Sequence, residues 1–298
     1  MPVSIIIAVR NGGRYITEAI ESARAPQVCE ILVVDDGSTD GTRDIVKGFA
    51  DPRVRLLCSA ATGVSAARNT GARVATGDWL MFLDADDRLR PGAIAALLAA
   101  AGTAGEAIAV YGDYDRIDQA GRAIGIRRAW RGRAKPSGRI LERLVAGNFI
   151  VNGGVMIVRA SAFAACAGFD ETLRFCEDWH CWCRLAALGD IRYAAVHVLD
   201  YRVHDAGTMT ARARSPADFL PAAERVFTDP AIVANLSKSS VSALRAAAEV
   251  HLSAYAAAQA VRFHCYGQAF AYTARAMAQA PRAAPGVMLK VGMAFLGA

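Results

Sequence analysis

No uninterrupted apolar stretch in the 298-residue sequence approaches the ~18 residues that a membrane-spanning helix requires. The apolar run after Met1-Pro2 has no charged segment before it and is closed by Arg10, too short for a signal peptide. A soluble or peripheral protein is expected, cytoplasmic or held at the cytoplasmic face of a membrane. The seven cysteines are odd in number and scattered. They argue against a disulfide framework and fit reduced thiols in a cytoplasm. No run of Lys and Arg is interleaved with aromatic residues, so nucleic acid is not an expected partner. The first strand–helix turn lacks a Gly-rich phosphate loop with a following Lys, which weighs against a nucleotidyltransferase.

What is present is apolar and mildly basic. Hydrophobic residues make up 54% and charged residues 21%, enough for one large α/β domain and a smaller extension. The formal net charge of +6 suits an anionic ligand such as a nucleotide diphosphate, or an anionic membrane surface.

Apolar runs at residues 3–9, 30–34, 54–58 and 79–83 read as buried strands, separated by helical patterns at 14–23, 41–49 and 64–75. Strand–helix alternation at this spacing implies βαβ units and a parallel sheet. Each strand runs into a polar cluster: Arg10-Asn11-Gly12-Gly13, Asp35-Asp36-Gly37-Ser38, Ser59 to Gly63, and Asp84-Ala85-Asp86-Asp87. Open parallel sheets bind ligands at the carboxyl ends of their strands, so these clusters are expected to meet at one edge. Further on, 107–111 and 154–158 read as strands, 122–138 as a mobile loop, 177–188 as a helix, and 191–203 as one or two strands. From about 211 the chain becomes Ala-rich, with helices expected at 242–261 and 268–280 and a weakly amphipathic tail from 286.

Three clusters carry candidate chemistry. Asp84-Ala85-Asp86-Asp87 offers hard oxygen ligands for Mg²⁺ or Mn²⁺, which typically use one or two carboxylates plus substrate phosphates. By itself it reads equally well as a helix-capping cluster before Pro91. Asp35-Asp36-Gly37-Ser38 could accept from a base N–H or a ribose hydroxyl, although an ordinary strand–turn–helix explains it too. Arg68, one turn into a helix beginning near Gly63, could reach phosphate oxygens or be a surface arginine.

In combination these segments resemble the inverting, family 2 glycosyltransferases of GT-A fold. The matching runs are Ser4 to Asn11, Val33 to Gly41, Gly63 to Gly71, Gly77 to Asp87, Gly168-Phe169-Asp170-Glu171, Glu177-Asp178-Trp179, and Tyr201-Arg202-Val203-His204. The resemblance implies an α/β fold with a mostly parallel central sheet over residues 1–212, with a nucleotide-binding half (1–105) and an acceptor half (106–212). Residues 213–298 would form an α-helical extension outside the nucleotide site, free to face a membrane or mediate dimers. It also implies roles. Ala8, Arg10 and Asp36 line base and ribose, with Asn11 and Asp35 in the same donor-binding set. Arg68 and Asp84 hold ribose or diphosphate, Asp86 binds Mn²⁺ or Mg²⁺, His204 sits near the metal, and Asp178 is the catalytic base. The donor would be a nucleotide-diphosphate sugar, UDP-linked by preference. The acceptor would be a cell-surface saccharide, free or lipid-linked. Two positions depart from the family pattern: Arg10 stands where an aromatic residue is usual, and His180 where a further Asp is common.

The resemblance implies one direct displacement through an oxocarbenium-like state. The competing reading is a catalytically inactive sugar-nucleotide-binding or membrane-docking module, against which both Asp86 and Asp178 are retained. Cys176, His180 and Cys183 fall on one helical face and have ligand types that suit zinc, but a fourth ligand is missing and buried packing cysteines are common.

Overall fold

The computed structural model describes residues 1–59, 62–102, 107–124, 135–204 and 215–295. The first elements in chain order are β1 (Val3–Val9), α1 (Ile16–Ser22), β2 (Val28–Asp35), α2 (Thr42–Lys47), β3 (Val54–Cys58), α3 (Val64–Val74) and β4 (Trp79–Asp84). Then come β5 (Arg88–Leu89), α4 (Ala93–Gly102), β6 (Ala109–Ile117), β7 (Ala123–Ile124), α5 (Leu141–Val145), β8 (Met156–Arg159), α6 (Ala160–Ala165), α7 (Glu177–Leu188) and β9 (Ile191–Arg202). The rest is helical: α8 (Leu220–Thr228), α9 (Pro230–Val233), α10 (Val241–Arg262), α11 (Tyr266–Gln279) and α12 (Ala284–Phe295).

The chain divides into two compact units. The first comprises Met1–Asp115, Ala134–Ile140 and Ile150–Arg202, and is built on a sheet with strand order β3-β2-β1-β4-β8-β6-β9-β5. β1 pairs in parallel with β2 and β4, and β2 with β3. The Ile/Val-rich β1 and β2 are buried on nearly every residue, as expected for parallel strands covered on both faces. Beyond β4 the pairing is mixed, and the contacts of β6 with β9 rise together along both strands, from Ile108 with Asp190 to Ile117 with Val203. β8 runs antiparallel to β4 and β6, and β5 antiparallel to β9.

Most elements fall where the hydrophobic pattern puts them, and the differences have local causes. The segment expected as a strand at 154–158 opens as a 3₁₀ turn over Gly153–Val155 before β8. There Asn152 accepts from the Gly154 amide, and a Cβ on Gly153 would sit 2.8 Å from the Phe82 carbonyl oxygen. The sequence pattern did not bring out α4, a run of Ala and Leu without polar punctuation. Of the loop expected at 122–138, residues 125–134 lie outside the described residues, as does the expected boundary near 212. On the flanks, Ala123–Ile124 forms β7 and Gly138 bridges Ile191.

The second unit comprises Arg116–Arg133, Leu141–Phe149 and Val203–Ala298. In it β7 pairs with Arg116 and Ile117 at the end of β6, and α5 packs on the 22-residue α10. Both α11 and α12 also pack on α10. Val250, Ala257, Val261, Ala269, Ala276, Val287 and Val291 form their shared core. The expected tail is thus a formed helix, and small residues let these helices approach closely.

Candidate active site

Parallel register aligns the strand ends. Ala8 pairs with Val34 on one side and Asp84 on the other, Val9 pairs with Asp35, and Asp35 with Cys58. The polar segments after these strands therefore leave one edge of the sheet, and their side chains tie them together. Asn11 takes a left-handed backbone (φ 54°). Its amide donates to Ser38 Oγ at 2.9 Å, and its side-chain oxygen accepts from the Thr39 amide at 2.8 Å. The Gly13 amide donates to Asp40 at 3.1 Å. The Asp36 amide donates to the Val9 carbonyl, and its carboxylate accepts from the Gly63 amide at 2.9 Å.

Within this frame Asn11 and Asp35, both expected to touch the donor, have structural partners. Asp35 is buried and accepts from the amides of Gly37 and Ser38 and from Arg43 Nε at 2.7 Å. Burial would raise its pKa, but the hydrogen bonds from Ser38 and Arg43 outweigh it and hold the carboxyl below its ordinary range. Ala8 and Asp36 are half-buried and Arg10 is exposed.

The second half of the site centres on Arg68, buried on α3. Its guanidinium donates to Asp84 Oδ1 at 2.7 Å and to Glu177 Oε1 at 2.8 Å, and lies 5.3 Å from the centroid of the Phe169 ring. Two opposite charges held by a planar fork are the geometry arginine serves best. They reinforce its protonated state against burial. The neighbouring Asn69 exchanges hydrogen bonds with the backbone of Phe169 and donates to Glu171 Oε1 at 2.9 Å. The Arg68-Asn69 pair thus binds both the Gly168–Glu171 motif and the start of α7.

Asp84 and Asp87 share Asn152, whose Nδ2 donates to them at 3.1 and 2.8 Å. Asp87 is buried, accepts from the Arg202 amide at 2.8 Å, and is pushed well above the ordinary aspartate range by burial and by the charges of Asp86 and Asp84. Arg202 Nε also donates to the Asp86 carbonyl at 2.7 Å. Asp87 therefore anchors the turn, leaving the half-buried Asp84 and Asp86 carboxylates toward the strand-end edge.

Asp178 stands in the first turn of α7 and accepts from the Trp179 amide at 2.6 Å. Burial, then the charge of Glu177, raises its pKa to about 8 despite the opposing pull of Arg68. α7 differs from the expected one-sided helix. Trp179, His180, Cys181, Trp182 and Cys183 are all buried, because a helix apolar all round is buried all round. The cysteines and His180 are thus packing residues of a core helix, and Cys176 is its left-handed N-cap.

The donor set fits a hard divalent cation. Asp84 and Asp86 supply carboxylate oxygens at a strand end. Among the described residues no three His, Cys, Asp or Glu side chains gather into a metal-holding group, so the remaining ligands would come from substrate phosphates and water. His204, expected near the metal, lies beyond β9 in the second unit and is half-buried. Glu177, Asn152, Asp87 and Arg202 were not singled out as site residues. Asp87, Glu177 and Arg202 each stand inside a matching run of the sequence, whereas Asn152 has no such signal.

Comparison with known proteins adds to the geometry. The family model described as glycosyl transferase family 2 matches residues 4–165, more than half of the chain. The chain is 38% identical over 125 residues to the succinoglycan biosynthesis protein ExoO of Rhizobium meliloti, covering 41% of this chain and 36% of that protein. It is 28% identical over 195 residues to the chondroitin synthase of Escherichia coli, covering 64% and 27%. The chain thus spans about a third of the first of these relatives and about a quarter of the second. Among solved structures, S. aureus TarS 1-349 in complex with UDP-GlcNAc matches with a TM-score of 0.63 and 18% identity, over 99% of this chain and 87% of that one. That likeness is one of fold.

Proposed function

The chain belongs to glycosyl transferase family 2, and on that premise we propose that it moves a sugar from a nucleotide diphosphate to an acceptor hydroxyl with inversion at the anomeric carbon. The observation that carries the proposal is the buried Arg68 set between Asp84 and Glu177, with Asp178 next in sequence and its pKa raised. Such perturbation beside a specific charge partner marks functional sites. UDP is the proposed nucleotide, supported by the UDP-GlcNAc bound in the TarS neighbour. A growing saccharide, free or lipid-linked, is the proposed acceptor, supported by the succinoglycan and chondroitin relatives.

The charge balance supports a divalent cation. A diphosphate arriving beside Asp84, Asp86, Glu177 and Asp178 meets four carboxylates, of which Arg68 already serves Asp84 and Glu177, and like charges at contact distance repel strongly. Asp86 is the proposed carboxylate ligand, and Mg²⁺ or Mn²⁺ there would supply the counter-charge that the leaving diphosphate needs. Ala8, Arg10 and Asp36 are proposed to receive base and ribose. Deprotonated Asp178 takes the acceptor proton as the hydroxyl oxygen attacks the anomeric carbon. The bond to the diphosphate breaks on the opposite face, and Arg68 offsets part of the charge that develops there.

The test is a donor panel with the purified protein, with Mn²⁺ or Mg²⁺ and with EDTA, reading released nucleotide and the anomeric configuration of the product. UDP release that stops in EDTA, with an inverted linkage, is expected. Release undiminished in EDTA removes the cation from the mechanism, and a retained linkage removes the single displacement.

A further inference from the structure

We propose that the outer face of α11 and α12 docks on an anionic lipid bilayer surface. The inference concerns the second unit alone and does not rest on the glycosyl-transfer reading. Its first support is charge. After Glu249 the sequence has no Asp or Glu through residue 298, but it has Arg262, Arg275, Arg282 and Lys290. The formal charge of this segment is +4, with Lys290 turned inward over the Tyr255 ring and the three arginines left to the surface. Arg262, Arg275 and Arg282 are exposed, and a basic segment gains about fivefold in affinity for an acidic lipid surface per Lys or Arg near it.

The second support is apolar exposure. α12 buries Val287, Val291 and Ala294, yet Met288, Leu289 and Phe295 on its other faces are 54%, 55% and 61% exposed. α11 buries Ala269 and Ala276 and leaves Tyr266 and Phe270 52% and 78% exposed. A helix apolar beyond its core-facing stripe calls for a second apolar cover. The exposed residues are joined. The Tyr266 and Phe295 rings stack with centroids 5.9 Å apart and planes 9° from parallel. Phe270 lies one helical turn beyond Tyr266, and Met288 two turns before Phe295, each on the same side of its helix.

Charge selects the occupant. A second copy would set one acid-free basic segment against another, which electrostatic complementarity disfavours. Anionic headgroups over an acyl boundary satisfy both the arginines and the aromatic and aliphatic side chains. Among the described residues no helix is long and apolar enough to cross a membrane, so the helices would lie in the interface plane with their apolar face at the headgroup–acyl boundary.

Co-sedimentation of the full chain with vesicles of phosphatidylcholine alone, and of phosphatidylcholine mixed with phosphatidylglycerol, tests the proposal. Binding to the mixed vesicles only is expected. Phe270→Ser with Leu289→Ser should weaken it by about tenfold or more, and Arg275→Gln and Arg282→Gln by about fivefold each. Both substitution sets are exposed, and unchanged circular dichroism melts confirm that the variants fold. Absence of vesicle binding, equal binding to both vesicle types, or unchanged binding by the Phe270/Leu289 variant overturns the proposal. So does light scattering that shows a dimer which the variant dissolves without any vesicle binding, since the face then belongs to a second copy.

Discussion

The sheet unit and the helical unit spend their unusual residues differently. In the first, Arg68, Asp87 and Asn152 are buried polar groups held by hydrogen bonds from segments far apart in sequence. In the second, the conspicuous residues are apolar and exposed, among them Phe270, Leu289 and Phe295. A buried ionic network is weak evidence of stabilisation, because desolvation offsets much of the attraction. Its positions are better explained by chemistry. An exposed apolar face is likewise unfavourable by itself and makes sense only through what covers it. The two units thus point to two kinds of ligand, one polar and anionic, the other an extended surface.

Substitutions sharpen this contrast. The largest expected effect is at Asp178. Asp178→Asn keeps the acceptor for the Trp179 amide but cannot take a proton, so turnover should fall ~10²- to 10⁴-fold with donor affinity retained. A turnover near that of the unaltered protein would pass the base role to Glu177. The same change should stabilise the fold. Asp178 titrates near pH 8 in the folded state against an ordinary 3.8, so folding favours its protonated form. That contribution is full below the ordinary value and is lost as pH rises through about 8. At pH 9 the Asn variant should therefore melt higher than the parent in calorimetry. By the same titration, kcat/KM of the parent should climb with pH and level off above about 8. A flat profile from pH 6 to 9 would remove Asp178 as the titrating base.

Arg68→Met is next. It leaves Asp84 and Glu177 facing each other without their guanidinium, and loss of one partner from a buried pair typically costs about 3–5 kcal/mol. Chemical denaturation measures it, and a loss under ~1 kcal/mol would mean that the site is wetter than its geometry indicates. Asp86→Ala should reduce UDP affinity in Mn²⁺ by about tenfold or more and erase the difference between Mn²⁺ and EDTA. Titration calorimetry decides, and a surviving metal response would move the ligand role to Asp84.

Two glycines compare the units directly. A Cβ on Gly77 would lie 2.6 Å from the Ser4 backbone nitrogen, whereas on Gly147 it would meet the His251 side chain at 2.5 Å. Backbone in a central strand yields less than a side chain. Gly77→Ala should lose ~1–3 kcal/mol and Gly147→Ala less, and the reverse order of melting temperatures would show the helical unit to be the tighter packed.

Much of this was legible in the sequence where signals are local. Ile5-Ile6-Ile7, Val33-Val34-Asp35-Asp36 and Leu83-Asp84-Ala85-Asp86 mark strands and their polar ends within a few residues. Parallel register then forces those ends to one edge. Asp178 could be reached only through the family motif, since burial, the main cause of its raised pKa, leaves no mark in the residues beside it. Arg68 finds Glu177 across 109 positions, and Arg202 finds the Asp86–Asp87 turn across 116 and 115. Pairings at such separation leave no periodicity to read. Asn11 and Asp35 illustrate the converse, because residue type and position suit both ligand and scaffold, and only their hydrogen-bond partners tell which.

The ties among the loops after β1, β2 and β3 have a calorimetric consequence. Asn11 with Ser38 and Thr39, Gly13 with Asp40, and Asp36 with Gly63 hold the receiving edge in shape before any nucleotide arrives. A ligand that must order its own receptor shows a heat-capacity change swollen by coupled folding. Here that surplus should be missing: nucleotide binding should give a negative heat-capacity change no larger than the apolar surface covered by the base and ribose themselves.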